Sequence, residues 1–90
     1  MIKWPNKDPD EVLDYGFIWT DLMVEGDIIT DSEWLPASGI NIDSDTHTSG
    51  ITVVWLSGGA VGDQYDLTNR VTTAAGRVFD RTARIAIKDK

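Results

Sequence analysis

From Val12 onward, apolar and polar positions alternate. Leu13, Tyr15, Phe17 and Trp19 fall on one side of a period-two pattern, with Asp14, Gly16, Ile18 and Thr20 on the other. That spacing predicts a half-buried strand. Thr20 to Gly26 has the composition of one helical turn, with Thr20 or Asp21 as N-cap and Gly26 as the left-handed exit. Ile28, Thr30, Ser32 and Trp34 then share a face, opposite Ile29, Asp31 and Glu33. Pro36–Gly39 reads as a turn, and Ile40 and Ile42 begin a short strand that leads into a polar loop over residues 43–50.

The second half repeats the scheme. Residues 51–57 (ITVVWLS) form the most β-prone run, followed by a glycine-rich connection to Gln64. Tyr65, Leu67, Asn69 and Val71 alternate with Asp66, Thr68, Arg70 and Thr72. After a tight turn at Ala74–Arg77, a last strand over residues 79–88 places Ala83, Ile85 and Ile87 on one face. Six or seven short strands with no long helix predict an all-β chain: a small antiparallel β-sandwich or barrel. Tyr65 leads the penultimate strand after Gly62-Asp63-Gln64, where a tyrosine corner sits in immunoglobulin-like sandwiches; Leu67 follows at the position of their second Cys. An immunoglobulin-like sandwich is therefore expected, with Trp19 and Trp34 filling its core.

At 90 residues there is room for one domain, here residues 12–90. Residues 1–11 (MIKWPNKDPDE) have no periodicity, and the positions before Pro5 and Pro9 are biased to extended backbone, so they read as an N-terminal arm. A chain of this size buries only about 60–65% of its unfolded surface. Without a single Cys there is no disulfide to reinforce it, and a partner surface is a natural source of further stability.

The formal charge of −7 is unevenly laid out. Residues 8–69 hold thirteen acids and no Lys or Arg, so residues 1–69 carry −11 and the last 21 carry +4. A nucleic-acid binder would show a basic stripe, and an anionic membrane would repel this body; neither is expected as a partner. No apolar run nears the ~18 residues of a spanning helix, and the N-terminus does not open as a signal peptide, so synthesis in the cytoplasm is expected.

Candidate chemistry is sparse. One His and no Cys allow neither a common nucleophile–base pair nor a three-ligand zinc site. Asp43–His47 resembles a calcium loop superficially, but Thr48 stands where the sixth position needs Gly and Val54 where the twelfth needs Glu. A looser site on Asp43, Asp45 or Asp27 competes with the simpler reading of a solvated acidic loop. Gly58-Gly59-x-x-Gly62 lacks the Lys-Ser/Thr of a phosphate loop. No catalytic residue, metal or cofactor is expected, and the chain reads as a non-enzyme.

Two features point to protein contacts. The strand 51–57 is apolar on both faces: if Thr52, Val54 and Leu56 face inward, Ile51, Val53 and Trp55 form an apolar outer face. The opposite register would make Trp55 a core residue, and periodicity alone leaves both open. The basic last segment, with Arg77, Arg84 and Lys88, suits either internal compensation or head-to-tail contact with the acidic face of a second copy, which closes into a ring. The second is expected here.

Several blocks also resemble a known family. They are Lys7–Tyr15 (KDPDEVLDY), Trp19, Gly26-Asp27-x-Ile29, Trp34, Trp55–Gly59 (WLSGG), Tyr65 and Thr68–Arg77 (TNRVTTAAGR). Over residues 7–88 they resemble small structural proteins of tailed bacteriophages, in particular the fiber–tail adaptors. The resemblance implies a virion protein present in several copies that joins tail, neck or fiber components. It also implies an arm that orders on docking, with Trp4 as anchor and Asp8, Asp10 and Glu11 as polar latches. A carbohydrate-binding adhesion module, with Trp55 or Trp4 as stacking platform, and a capsid or collar decoration protein are the alternatives.

Overall fold

The period-two runs become strands, and the computed structural model describes them over residues 2–90. The strands are β1 (Ile2–Lys3), β2 (Leu13–Ile18), β3 (Ile29–Trp34), β4 (Ile40–His47), β5 (Ile51–Gly58), β6 (Gln64–Thr73) and β7 (Val78–Ala86). They form two sheets, ordered β1-β7-β6-β3 and β2-β5-β4. Every pairing is antiparallel except β1 with β7. The chain is a two-layer all-β sandwich, with no helix among the described residues.

Apolar alternation decides the inner faces. Tyr15 and Phe17 of β2, Val54 and Leu56 of β5, Leu67 and Val71 of β6, and Ala83 and Ile85 of β7 are buried. Trp19 and Trp34 join them as the bulky fillers: Phe17 stacks on Trp34 at 5.6 Å between ring centroids and meets Trp19 edge-on at 5.9 Å. Such aromatic pairs add about 0.5–1.5 kcal/mol beyond their buried area. Tyr65 accepts a hydrogen bond from the Ala60 N–H at its hydroxyl (3.0 Å), which ties the β5–β6 connection to the strand it leads into.

Three expectations differ from the structure, each for a physical reason. The face assigned to Ile28, Thr30, Ser32 and Trp34 is broken by a bulge between Ile29 and Asp31. One extra residue flips the phase, so Ile29 and Trp34 are both buried while Ile28 and Thr30 are exposed. The loop expected over residues 43–50 is mostly strand. β4 continues through His47, paired to β5 with a second bulge between Ile42 and Ser44, and its polar side chains reflect an edge strand standing largely in solvent. Residues 20–26 form two turns, closed by Leu22 N–H to the Trp19 carbonyl and Asp27 N–H to that of Val24, rather than a helical turn.

The arm is bound to its own domain. β1 adds to the β7 edge in parallel, and Trp4 stacks on Tyr15 at 4.9 Å, within 5.2 Å of Phe17. Tyr15 donates its hydroxyl to the Pro5 carbonyl (3.1 Å). Lys7 is fully buried, its ammonium donating to the carbonyls of Asp8 (2.8 Å) and Gly58 (2.7 Å). Residues 2–11 thus close the side of the sandwich between β7 and β2.

Candidate functional site

Pairing puts the odd residues of β5 outward. Thr52, Val54 and Leu56 are buried, while Ile51 and Trp55 stay 43% and 40% exposed and Val53 is half-buried. On β2, Ile18 stands opposite Ile51, Gly16 opposite Val53, and Asp14 opposite Trp55. On β4, Ser44 faces Trp55 and Thr46 faces Val53. Ile18, Ile51, Val53 and Trp55 therefore form a continuous apolar stripe across the outer face of the three-stranded sheet. Gly16 keeps it flat: a Cβ there would run into the Thr52 carbonyl oxygen. A solvated outer face is ordinarily polar, and apolar stripes rimmed by polar groups mark contact surfaces.

Ile18 was missed among the candidates, although period two placed it outward with Asp14. Among the described residues it is the most exposed large apolar side chain, at 63%.

The other candidates lie elsewhere and are tied up within the chain. Trp4 belongs to the aromatic cluster under the arm, and does not cover the β5 stripe. Asp8 accepts the backbone N–H groups of Asp10 and Lys90, and Glu11 accepts that of Asp8 and pairs with the Lys90 ammonium at 2.8 Å. Asp10 is exposed, as is Lys88.

The basic C-terminal segment is internally compensated. Arg84 makes a two-point contact with Asp66, and Arg70 with Asp80, each across the β6–β7 pair. Arg77 lies 3.5 Å from Asp27, and Arg81 sits over the Trp19 ring while donating to the Ile18 carbonyl. With these four arginines and Lys90 each beside an acid, ten of the fifteen acids have no ion-pair partner among the described residues, against three such lysines. Of the three cations invoked for head-to-tail contact, Arg77 and Arg84 are thus engaged at home, and Lys88 alone has no ion-pair partner among the described residues.

Asp27, a loose calcium candidate, holds a turn: its carboxylate accepts the N–H groups of Ile28 and Ala75. His47 closes β4, exposed to solvent.

These contacts give a signed pH dependence. The Thr73 hydroxyl and two backbone amides hold the Asp27 carboxyl below its usual range, and the facing arginines do the same for Asp66 and Asp80. Hydrogen bonds from the Asp10 and Lys90 amides lower Asp8, and Lys90 lowers Glu11. A carboxyl depressed in the folded state stabilises it above the unfolded pKa, near 4, and that contribution is lost as pH falls through the lower folded value. Tm is accordingly expected to be flat from pH 7 to 5 and to fall below pH 4; calorimetry showing equal Tm at pH 3 and pH 6 would contradict this.

No curated protein matches the chain. Residues 7–86, nearly the whole length, match the family described as podophage GP4 fiber-tail adaptor protein gp77. With an all-β sandwich and an apolar outer stripe behind it, the chain belongs to that family of phage fiber–tail adaptor proteins, structural components of the virion tail and not enzymes.

Proposed function

We propose that this chain is a connector subunit that joins tail or neck to fiber components through the outer face of β2-β5-β4. The observation that carries the reading is the stripe of Ile18, Ile51, Val53 and Trp55, exposed on a sheet face that a free-standing domain would make polar. Trp55 is its anchor, since tryptophan is enriched among residues that dominate binding energy. Several copies sit around the tail by symmetry, arranged by the proteins they share. An immunoglobulin-like assignment supports this use as a module. Read as strands B to G, β2–β7 give the B-E-D and G-F-C sheets of such domains, with Trp34 on C and Tyr65 near the start of F.

Trp55→Ser is expected to leave the free domain within a few degrees of the native Tm, because exposed substitutions usually change stability by about 0.5 kcal/mol or less. In particles, its incorporation is expected to fall about tenfold or more, the effect of removing about 2 kcal/mol at an anchor. Quantitative immunoblotting of purified virions measures this, and native incorporation of the variant would refute the reading.

A further inference from the structure

The two long sides of the sandwich are finished differently. Between β7 and β2 the chain covers itself, with β1 added to the sheet edge and Trp4 laid on Tyr15. On the opposite side, β3 and β4 are the edge strands of their sheets and lie next to each other, with no strand of the described chain beyond them. A groove of about 370 Å³ opens there, lined by Trp34, Pro36, Ala37, Ile40, Asn41 and Ile42. The indole N–H of Trp34, a side chain only 7% exposed, is buried with no acceptor among the described residues. Buried donors in native proteins are nearly always satisfied.

Charge limits what can lie in this groove. Asp31 and Glu33 on β3 and Asp43 and Asp45 on β4 form no ion pair with a described residue, and neither strand carries a Lys or Arg. A second copy would bring an equally acidic edge, and like charges set against each other cost several kcal/mol at an interface. Its arginines are engaged with its own aspartates, and its arm is packed on its own β7. The acids that keep two copies apart favour a cationic strand.

We infer that the β3–β4 groove binds an extended segment of a different polypeptide, which adds to the free edge of β4. Alternate apolar side chains fill the groove beside Trp34, and the intervening lysines or arginines meet the unpaired acids. Main-chain bonds to an open sheet edge supply affinity in such complexes, and alternate side chains in pockets supply specificity. The site is separate from the β5 stripe and stands whether or not that stripe binds its partner.

Titration of the isotopically labelled chain with a short peptide alternating lysine and leucine tests this by NMR. The Trp34 indole signal and the amides of Ile40–His47 are expected to shift, with β4 exchange slowed and affinity falling as salt rises. The same peptide with glutamate for lysine is expected to leave them unmoved. Asp31→Lys combined with Asp45→Lys, both at exposed positions, should weaken binding about tenfold through charge reversal. Equal response to both peptides, shifts centred on Trp55, or no shift at Trp34 and β4 would overturn the inference.

Discussion

Deletion of residues 1–10 is expected to lower Tm by more than roughly 10 °C, the shift that about 3 kcal/mol produces in a domain of this size. The arm is part of the fold. Removing it uncovers Tyr15 and Phe17 and takes away Trp4, an aromatic contact of about 2–3 kcal/mol by buried area. It also removes the Lys7 ammonium from the Gly58 carbonyl, and hydrogen bonds to charged groups contribute about 1.5–3 kcal/mol each. The backbone bonds from Trp4 to Arg84 and from Lys7 to Ala86 are lost with it. Ordering the arm costs conformational entropy, which is why the net effect is below the sum of the contacts.

Two single variants separate the contributions. Trp4→Ala should reproduce most of the loss. Lys7→Met keeps the stem's packing but leaves the Gly58 carbonyl without that donor. Burial lowers the Lys7 pKa against the pull of nearby carboxylates, so its charge is held at a desolvation cost. Lys7→Met is therefore expected to cost less than Trp4→Ala. Circular dichroism melts of the three proteins measure this, and a truncated chain melting within a few degrees of the native one would show that the arm is only draped on the domain.

Strands whose apolar residues alternate without interruption were legible from the amino-acid pattern: β2, β6 and β7 follow it residue by residue. Where a bulge intervenes, the pattern misleads, because one inserted residue at Thr30 reverses which side of β3 is buried. β4 was half-hidden since an edge strand in solvent has no apolar alternation to show beyond Ile42. The outer stripe was visible as a run too apolar for one buried face, but its register needed pairing partners on both sides of β5. Charge compensation was the least legible feature. Arg84 and Asp66 are 18 positions apart, and only the β6–β7 register brings them opposite each other. The arm illustrates the same point: Trp4 and Lys7 sit among prolines and acids with no period, and only the tertiary fold shows that one is stacked and the other buried.

Replacement of Trp19 by alanine is expected to leave the chain unfolded, or nearly so, at room temperature. The side chain is completely buried at the end of β2, with Phe17 packed edge-on and the Arg81 guanidinium 4.7 Å above the ring. Truncating a buried tryptophan costs about 3–5 kcal/mol, a large share of the roughly 5–15 kcal/mol that holds a typical domain together. Two further losses accompany the cavity. The buried Thr52 hydroxyl no longer receives the indole N–H (3.0 Å), and Arg81 loses the surface that holds it against the Ile18 carbonyl. Trp19→Phe removes the donor while keeping a six-membered aromatic ring in the site, so most of the bulk stays and a smaller cavity is left. It should cost about 1–3 kcal/mol, the penalty for stranding a buried polar group. In the Trp19→Phe background, Thr52→Val should then be nearly neutral or stabilising, whereas in the native chain it leaves the indole N–H unpaired and destabilises. Urea unfolding of the four proteins closes the cycle. A coupling energy indistinguishable from zero would show that Trp19 acts by bulk alone.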